Sequence, residues 1–102
     1  MTAFVNRPDD ERMAFRQDIS PLCSIEGYYG NGVQLRMPRL PELQALATEI
    51  CAKHGLIETR AHYFPLGSDN APRYMRHDGR YPGCRGFWLN VCFEPAEMVN
   101  PL

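Results

Sequence analysis

The clearest pattern in the chain is the hydrophobic spacing of residues 40–55, LPELQALATEICAKHG. Core-type residues recur there at intervals of three and four, so they fall on one stripe of an α-helix. The stripe consists of Leu43, Leu46, Ala47, Ile50, Cys51 and His54. Pro41 suits the first helical turn, because its φ is already helical and the N–H that it lacks would have no partner there. Gly55 can adopt the left-handed conformation that ends a helix, so the pattern predicts a helix with both ends marked and one face buried.

Before this helix, alternating apolar and polar residues predict a β-hairpin. Its strands cover residues 22–29 and 33–37, and the sequence Tyr29-Gly30-Asn31-Gly32 is a turn signal, since Gly and Asn tolerate positive φ. In the second strand the apolar residues share one face and the polar residues share the other, with Val33, Leu35 and Met37 opposite Gln34 and Arg36. The apolar face is expected to join the core.

Two further strands are predicted after Gly55. Residues 57–64 alternate, and residues 86–94 combine alternation with the aromatic and β-branched side chains that strands favour. The side chains expected on the core face are Ile57, Thr59, Ala61, Tyr63, Phe87, Leu89, Val91 and Phe93. Pro95 is expected to end the last strand.

A second helix is predicted near the start of the chain, over residues 8–20. Asp9, Asp10 and Glu11 place carboxylates beside the positive end of the helix dipole, and Pro21 ends the helix because it restricts the residue before it. The apolar stripe of this helix consists of Met13, Phe15 and Ile19.

The predicted order of elements is therefore α-β-β-α-β-β. It predicts one α+β domain over residues 1–102, with a four-stranded, mainly antiparallel sheet and both helices packed on one face. The opposite face is expected to present a set of polar and aromatic side chains to solvent or to a partner. These side chains are Gln34, Arg36, Arg60, His62, Trp88 and Asn90.

Composition narrows the class of protein. The 102 residues are 44% hydrophobic and carry a net charge of −1, which gives no overall bias toward nucleic acid or membranes. No apolar run approaches the ~20 residues that span a bilayer, and the N-terminal sequence turns acidic where a secretory signal would turn apolar. A cytoplasmic location is expected. The four cysteines are far apart in a chain large enough to form a core, so reduced thiols are expected.

The segment 65–85, PLGSDNAPRYMRHDGRYPGCR, has no helical or strand period. Irregular loops of this length are usually functional or disordered. Residues 53–86 hold six basic and three acidic residues, whereas the rest of the chain holds five basic and nine acidic residues. Arginines that alternate with aromatic residues can bind phosphates and stack on bases. The alternative is a solvated loop whose arginines pair with Asp69, Asp78 and neighbouring carboxylates.

These features favour a small non-enzymatic binding module that engages a larger anionic partner, namely nucleic acid, a nucleoprotein or an acidic protein surface. The basic aromatic loop and the exposed sheet face would form the binding site, with Trp88 as an anchor because buried Trp and Arg side chains dominate binding energy. The predicted binding residues are Arg60, His62, Arg73, Tyr74, Arg76, His77, Arg80, Tyr81, Arg85 and Trp88.

Two other functions are compatible with the same residues. His62 and His77 could act as an acid and base pair in a small, ribonuclease-like enzyme that cleaves phosphodiesters. The Trp88 face could instead be the interface of a homodimer. No cofactor is expected, because glycine-rich phosphate loops and hydrolase motifs do not occur. No metal is expected either, since His62, His77, Cys84 and Cys92 lack the close ligand spacing of a zinc site.

Overall fold

The structure, a computed structural model, describes residues 2–38, 40–64 and 88–99. The predicted order of the main helices and strands is confirmed, with a short 3-10 helix before them and a short helix after them. In chain order the elements are the 3-10 helix Phe4–Asn6, α1 Asp9–Ile19, β1 Ser24–Tyr29, β2 Gly32–Pro38, α2 Pro41–Lys53, β3 Leu56–Phe64, β4 Trp88–Pro95 and α3 Ala96–Val99.

The four strands form one antiparallel sheet in the order β1-β2-β4-β3. β2 and β4 lie at its centre, and their registered residues supply most of the apolar face: Val33 is opposite Phe93, Leu35 opposite Val91, and Met37 opposite Leu89. All six of these side chains are buried, so the predicted core face is confirmed at these positions. Phe87, which was also predicted there, lies outside the described residues. The domain belongs to the predicted α+β class.

The β1–β2 hairpin closes through the turn that the sequence predicts. Gly30 has a φ of 61°, whereas Asn31, the other central residue of the turn, does not have a positive φ. A positive φ at the first central position is the geometry of a type II′ turn, which matches the natural twist of two antiparallel strands. The turn is also held from both sides, because the Phe4 N–H donates to the Asn31 carbonyl and the Asn31 N–H donates to Glu94 Oε1.

Helix α2 begins at Pro41 as predicted, and Gly55 just beyond it has a φ of 74°. Ala47 and Cys51 are fully buried against the sheet, but Leu46 is 47% exposed, so its predicted place in the buried stripe is wrong. Consecutive residues on an α-helix are about 100° apart. Ala47 and Cys51 lie at the centre of the contact with the sheet, so Leu46, which is one residue before Ala47, is rotated away from the sheet and is exposed to solvent.

Helix α1 buries Phe15 and Ile19, whereas Met13 is 56% exposed, so the predicted stripe is correct at two of its three positions. Two residues along a helix correspond to about 200°, which puts Met13 on the side opposite Phe15. The core contact that the sequence analysis missed comes from Phe4, whose ring meets the Phe15 ring edge-on with centroids 5.1 Å apart.

β-Bulges in both edge strands change which residues share a face. In β3, Glu58 is opposite Phe93 and Arg60 is opposite Cys92, so Thr59 is an extra residue. A bulge switches the alternation of side chains on either side of it. Leu56 is therefore the buried residue of the first part of the strand, and the predicted inward placement of Ile57 and Thr59 is wrong.

The second bulge lies in β1, where Glu26 is the extra residue between Ile25 and Gly27.

None of the helices within residues 2–38, 40–64 and 88–99 combines the length and the apolar character needed to cross a membrane.

Candidate functional site

The outer face is the sheet face opposite α1 and α2, and it carries Gln34, Arg36, Arg60, His62, Asn90 and Cys92. Of the predicted binding residues, Arg60 and His62 lie here in β3, both exposed. Trp88 is the first residue of β4, opposite Phe64 and Pro38. The other predicted binding residues lie outside the described residues, and their roles stay predictions: Arg73, Tyr74, Arg76, His77, Arg80, Tyr81 and Arg85.

The centre of the outer face is a buried polar cluster. Arg36 is 9% exposed and Asn90 is 7% exposed, so the prediction that both reach solvent is wrong. They are direct partners in the β2–β4 register, and Arg36 Nε donates to Asn90 Oδ1 over 2.9 Å. Arg36 Nη2 also lies 2.9 Å from Glu26 Oε1, which the bulge in β1 brings to this face. We call these three residues the Arg36 cluster.

The Arg36 cluster is a structural feature of the sheet, because its charged groups are already bonded to one another. A buried guanidinium is tolerated only when carboxylates and hydrogen-bond acceptors satisfy it, as Glu26 and Asn90 do here. His62 is opposite Asn90 in the β3–β4 register, and Arg60 is opposite Cys92. Arg60 and His62 therefore lie beside the polar centre of the outer face.

An exposed corner of the outer face brings Arg60 of β3 next to Tyr29 of the hairpin. The Arg60 guanidinium carbon lies 5.8 Å from the centroid of the Tyr29 ring, within the range of a cation–π contact. The Tyr29 ring is 53% exposed. Together with Gly30, Thr59, Cys92 and Glu94 these residues line a cleft of about 150 Å³. We call this region the Tyr29–Arg60 corner.

The cysteine of the corner is a poor nucleophile. Burial raises the pKa of the Cys92 thiol, while Arg60 lowers it and Glu94 raises it again. The thiol is therefore protonated at neutral pH, and a protonated thiol does not attack substrates. Thr59 Oγ1 donates to the Cys92 carbonyl over 3.3 Å, which attaches the bulge to β4. Nucleophilic catalysis through this thiol is therefore disfavoured.

A second polar pair joins the two long helices and was missed in the sequence. His54 Nε2 lies 2.8 Å from Asp18 Oδ2, and Lys53 Nζ donates to the same oxygen over 3.3 Å. The hydrogen bond with His54, followed by that with Lys53, lowers the pKa of Asp18. Arg7 Nη1 donates to the His54 carbonyl over 2.6 Å. No local spacing in the sequence links residues this far apart, so only the packing of α1 on α2 reveals the pair.

Two other predictions from the sequence involve residues outside the described ranges. His77, one half of the predicted acid and base pair, lies outside the described residues, as does Cys84 of the four residues weighed as zinc ligands. Within the described ranges no group of three or more His, Cys, Asp or Glu side chains is arranged to hold a metal ion. The ribonuclease-like alternative and the expectation that the protein binds no zinc therefore both stay predictions.

The structure thus brings Arg60 and His62 to one exposed edge and joins Arg60 to Tyr29, which the sequence analysis did not select. The sequence does place Tyr29 at the predicted hairpin turn. Its contact with Arg60, however, depends on the order of the strands in the sheet. Comparisons of the chain with protein-family models, with curated proteins and with solved structures find no match.

Proposed function

We propose that this protein is a small, non-enzymatic binding module of the cytoplasm that engages a larger anionic partner through its outer face. The partner is nucleic acid, a nucleoprotein or an acidic protein surface. The observation that carries the proposal is the Tyr29–Arg60 corner, where the guanidinium of the exposed residue Arg60 lies within cation–π distance of the exposed Tyr29 ring.

The geometry of Arg60 favours anion binding. Among the described residues, no carboxylate lies within salt-bridge distance of its guanidinium. A guanidinium presents five N–H donors in a planar fork, and those not engaged by other groups can meet phosphate or carboxylate oxygens. Because the contact with Tyr29 already restricts the side chain, less conformational entropy is lost on binding.

The exposed ring of Tyr29 supplies a second kind of contact. An aromatic face beside a basic side chain allows a base to stack while its phosphate meets the guanidinium. On a protein partner, the same ring would pack against an apolar side chain next to a carboxylate. Tyr29 and Arg60 therefore form a pair with complementary roles.

The β3–β4 pair connects the outer face to the predicted basic loop through His62, at the end of the sheet opposite the hairpin turn. Phe64 and Trp88 are opposite each other at the end of the β3–β4 pair. The segment with the predicted binding arginines therefore leaves and rejoins the sheet at the same end, two residues beyond His62. This connectivity supports a basic surface along β3, in which His62 lies nearest to the loop and Arg60 two residues farther from it.

Fluorescence anisotropy with a labelled short single-stranded RNA and a labelled oligo-glutamate tests the proposal. Arg60→Gln should weaken binding on the order of tenfold, because a charge-assisted contact contributes about 1.5–3 kcal/mol. The slope of log K against log salt should fall by about one. Lys53→Gln is the matched control, since it removes one exposed positive charge from α2.

Equal loss of affinity in Arg60→Gln and Lys53→Gln would contradict the proposal, because it would mean that only net charge matters. Binding of both probes that is independent of salt would contradict it as well. Cleavage of the RNA by the wild-type protein, abolished by His62→Ala, would favour the ribonuclease-like alternative.

A further inference from the structure

A groove runs between helix α1 and edge strand β1. It consists of two adjoining clefts of about 350 and 320 Å³ that share Arg16. The first cleft lies between Met13 of α1 and Tyr28 of β1, and the second continues to Ser24 and Ile25. We call the two together the α1–β1 groove.

The dimensions of the groove match a short extended peptide. The 11 residues of α1 span about 16 Å at ~1.5 Å per residue. An extended chain rises ~3.3 Å per residue, so about five residues fit along the groove. Both walls come from regular elements, and the groove is therefore already formed in the free protein.

One wall of the groove has backbone groups available for pairing. Among the described strands, β1 pairs with β2 alone, so its other side is an open edge. Tyr29 and Gly32 close the two-residue turn and exchange backbone hydrogen bonds. In an antiparallel ladder the next pair does not exchange them, so the N–H and C=O of Tyr28 are directed to the open edge.

The bulge at Glu26 determines how far a second strand can pair with this edge. It interrupts the regular ladder in the middle of β1, so regular pairing is confined to the end near Tyr28. The remainder of a bound segment would lie in the groove against α1. Because a bulged edge strand disfavours pairing with long strands, the partner that we consider is a short segment.

The side chains of the groove determine the chemistry of that partner. Met13 and Tyr28 are large, apolar and exposed on either side of the first cleft. Arg12 is engaged by Asp9 and by the Arg7 carbonyl. Arg16 donates to the Tyr28 hydroxyl over 3.2 Å and has no carboxylate partner in the described part of the chain. The centre of the groove thus presents a positive charge beside an apolar recess.

We propose that the α1–β1 groove binds an extended, acidic peptide segment of another protein, which adds to the edge of β1. Alternate residues of an extended segment face the same side. An apolar side chain would therefore lie between Met13 and Tyr28, and a carboxylate two residues along would meet Arg16. Backbone hydrogen bonds to Tyr28 would supply affinity and these two side chains would supply specificity.

Titration of the ¹⁵N-labelled protein with short capped peptides tests this inference. The probes carry a central Leu-Thr-Glu or Glu-Thr-Leu, since the structure allows either strand direction, and a Leu-Thr-Lys peptide is the control. The acidic peptide in one direction should shift the amide signals of Arg16, Gly27 and Tyr28, none of which belongs to the Tyr29–Arg60 corner, and slow hydrogen exchange at Tyr28. Arg16→Gln should weaken this binding about tenfold, as expected for a charge-assisted contact. The Leu-Thr-Lys peptide should not bind.

A matched variant separates this site from the outer face. Arg60→Gln should leave the affinity for the acidic peptide unchanged, whereas it weakens RNA binding if the proposed function holds. The inference is wrong if neither acidic peptide shifts the β1 signals at millimolar concentration, or if the lysine peptide binds equally. Shifts confined to Arg60 and His62 would also overturn it, because the peptide would then bind to the outer face.

Discussion

Removing one member of the Arg36 cluster should destabilise the fold. Glu26→Gln removes the carboxylate charge beside a guanidinium that is 9% exposed. Breaking a fully buried ion pair costs about 3–5 kcal/mol, and breaking an exposed pair costs about 0.2–1 kcal/mol. The Glu26 side chain is 32% exposed, so the expected loss lies between these ranges, at about 1–3 kcal/mol. Asn90→Ala should cost about 1–3 kcal/mol, because Arg36 Nε then lacks its acceptor.

Urea denaturation followed by circular dichroism measures these losses. Asp9→Asn is the control, since Asp9 forms an exposed pair with Arg12 and should change the free energy of unfolding by less than about 1 kcal/mol. Glu26→Gln combined with Asn90→Ala should depart from additivity by about 0.5–3 kcal/mol, because both act on Arg36. If both single variants unfold within experimental error of the Asp9→Asn control, the cluster does not support the outer face and the reasoning fails.

Three further predictions follow from the core and from the titrating groups. Leu35→Ala should lower the free energy of unfolding by about 2–5 kcal/mol because the side chain is fully buried, whereas Leu46→Ala should cost less than about 1 kcal/mol; equal losses in urea denaturation would contradict the described packing. Burial raises the pKa of Cys23 and of Cys51 to about 12, so both thiols should react slowly with a disulfide reagent at pH 8 until the protein is denatured, and rapid reaction in the native state would refute their burial. The pKa of Asp18 is lowered in the folded state, so its stabilising contribution is present above its unfolded pKa and is lost as pH falls through the folded value. The unfolding free energy of Asp18→Asn should therefore approach that of wild type in acid, and a constant difference across that range would count against the pair.

The parts of the fold that sequence predicted correctly depend on local chemistry. Pro41 and Gly55 mark the ends of α2 wherever the helix lies, and Gly30 permits the hairpin turn through its own φ. The apolar faces of β2 and β4 were also predictable, because uninterrupted alternation at the centre of a sheet leaves only one way to bury them.

The errors in the sheet arose where a residue's position depends on its cross-strand partner. Thr59 and Glu26 become extra residues only when β3 and β1 are registered against their neighbours. The alternation of residue types in the sequence does not contain that information. Ile57, which precedes the bulge in β3, was therefore assigned to the wrong face of the sheet. The burial of Arg36 has the same origin, since its hydrogen bond with Asn90 requires β2 and β4 to be adjacent.

The candidate site was only partly predictable for a related reason. The exposed basic character of Arg60 and His62 follows from the sequence, because both fall in a strand segment next to a basic loop. The contact of Arg60 with Tyr29 does not follow, because a hairpin residue and an edge-strand residue meet only in the folded sheet. The pairing of His54 with Asp18 likewise required the packing of two helices.

The most direct test of the central claim is a map of where an anion binds. The ¹⁵N-labelled protein would be titrated at low salt with short single-stranded RNA and, separately, with oligo-glutamate. The account predicts that at least one probe shifts the amide signals of Tyr29, Arg60 and His62, leaves those of α2 unchanged, and loses these effects as salt is raised. Shifts located in α2, or no shift at the Tyr29–Arg60 corner with either probe, would contradict it.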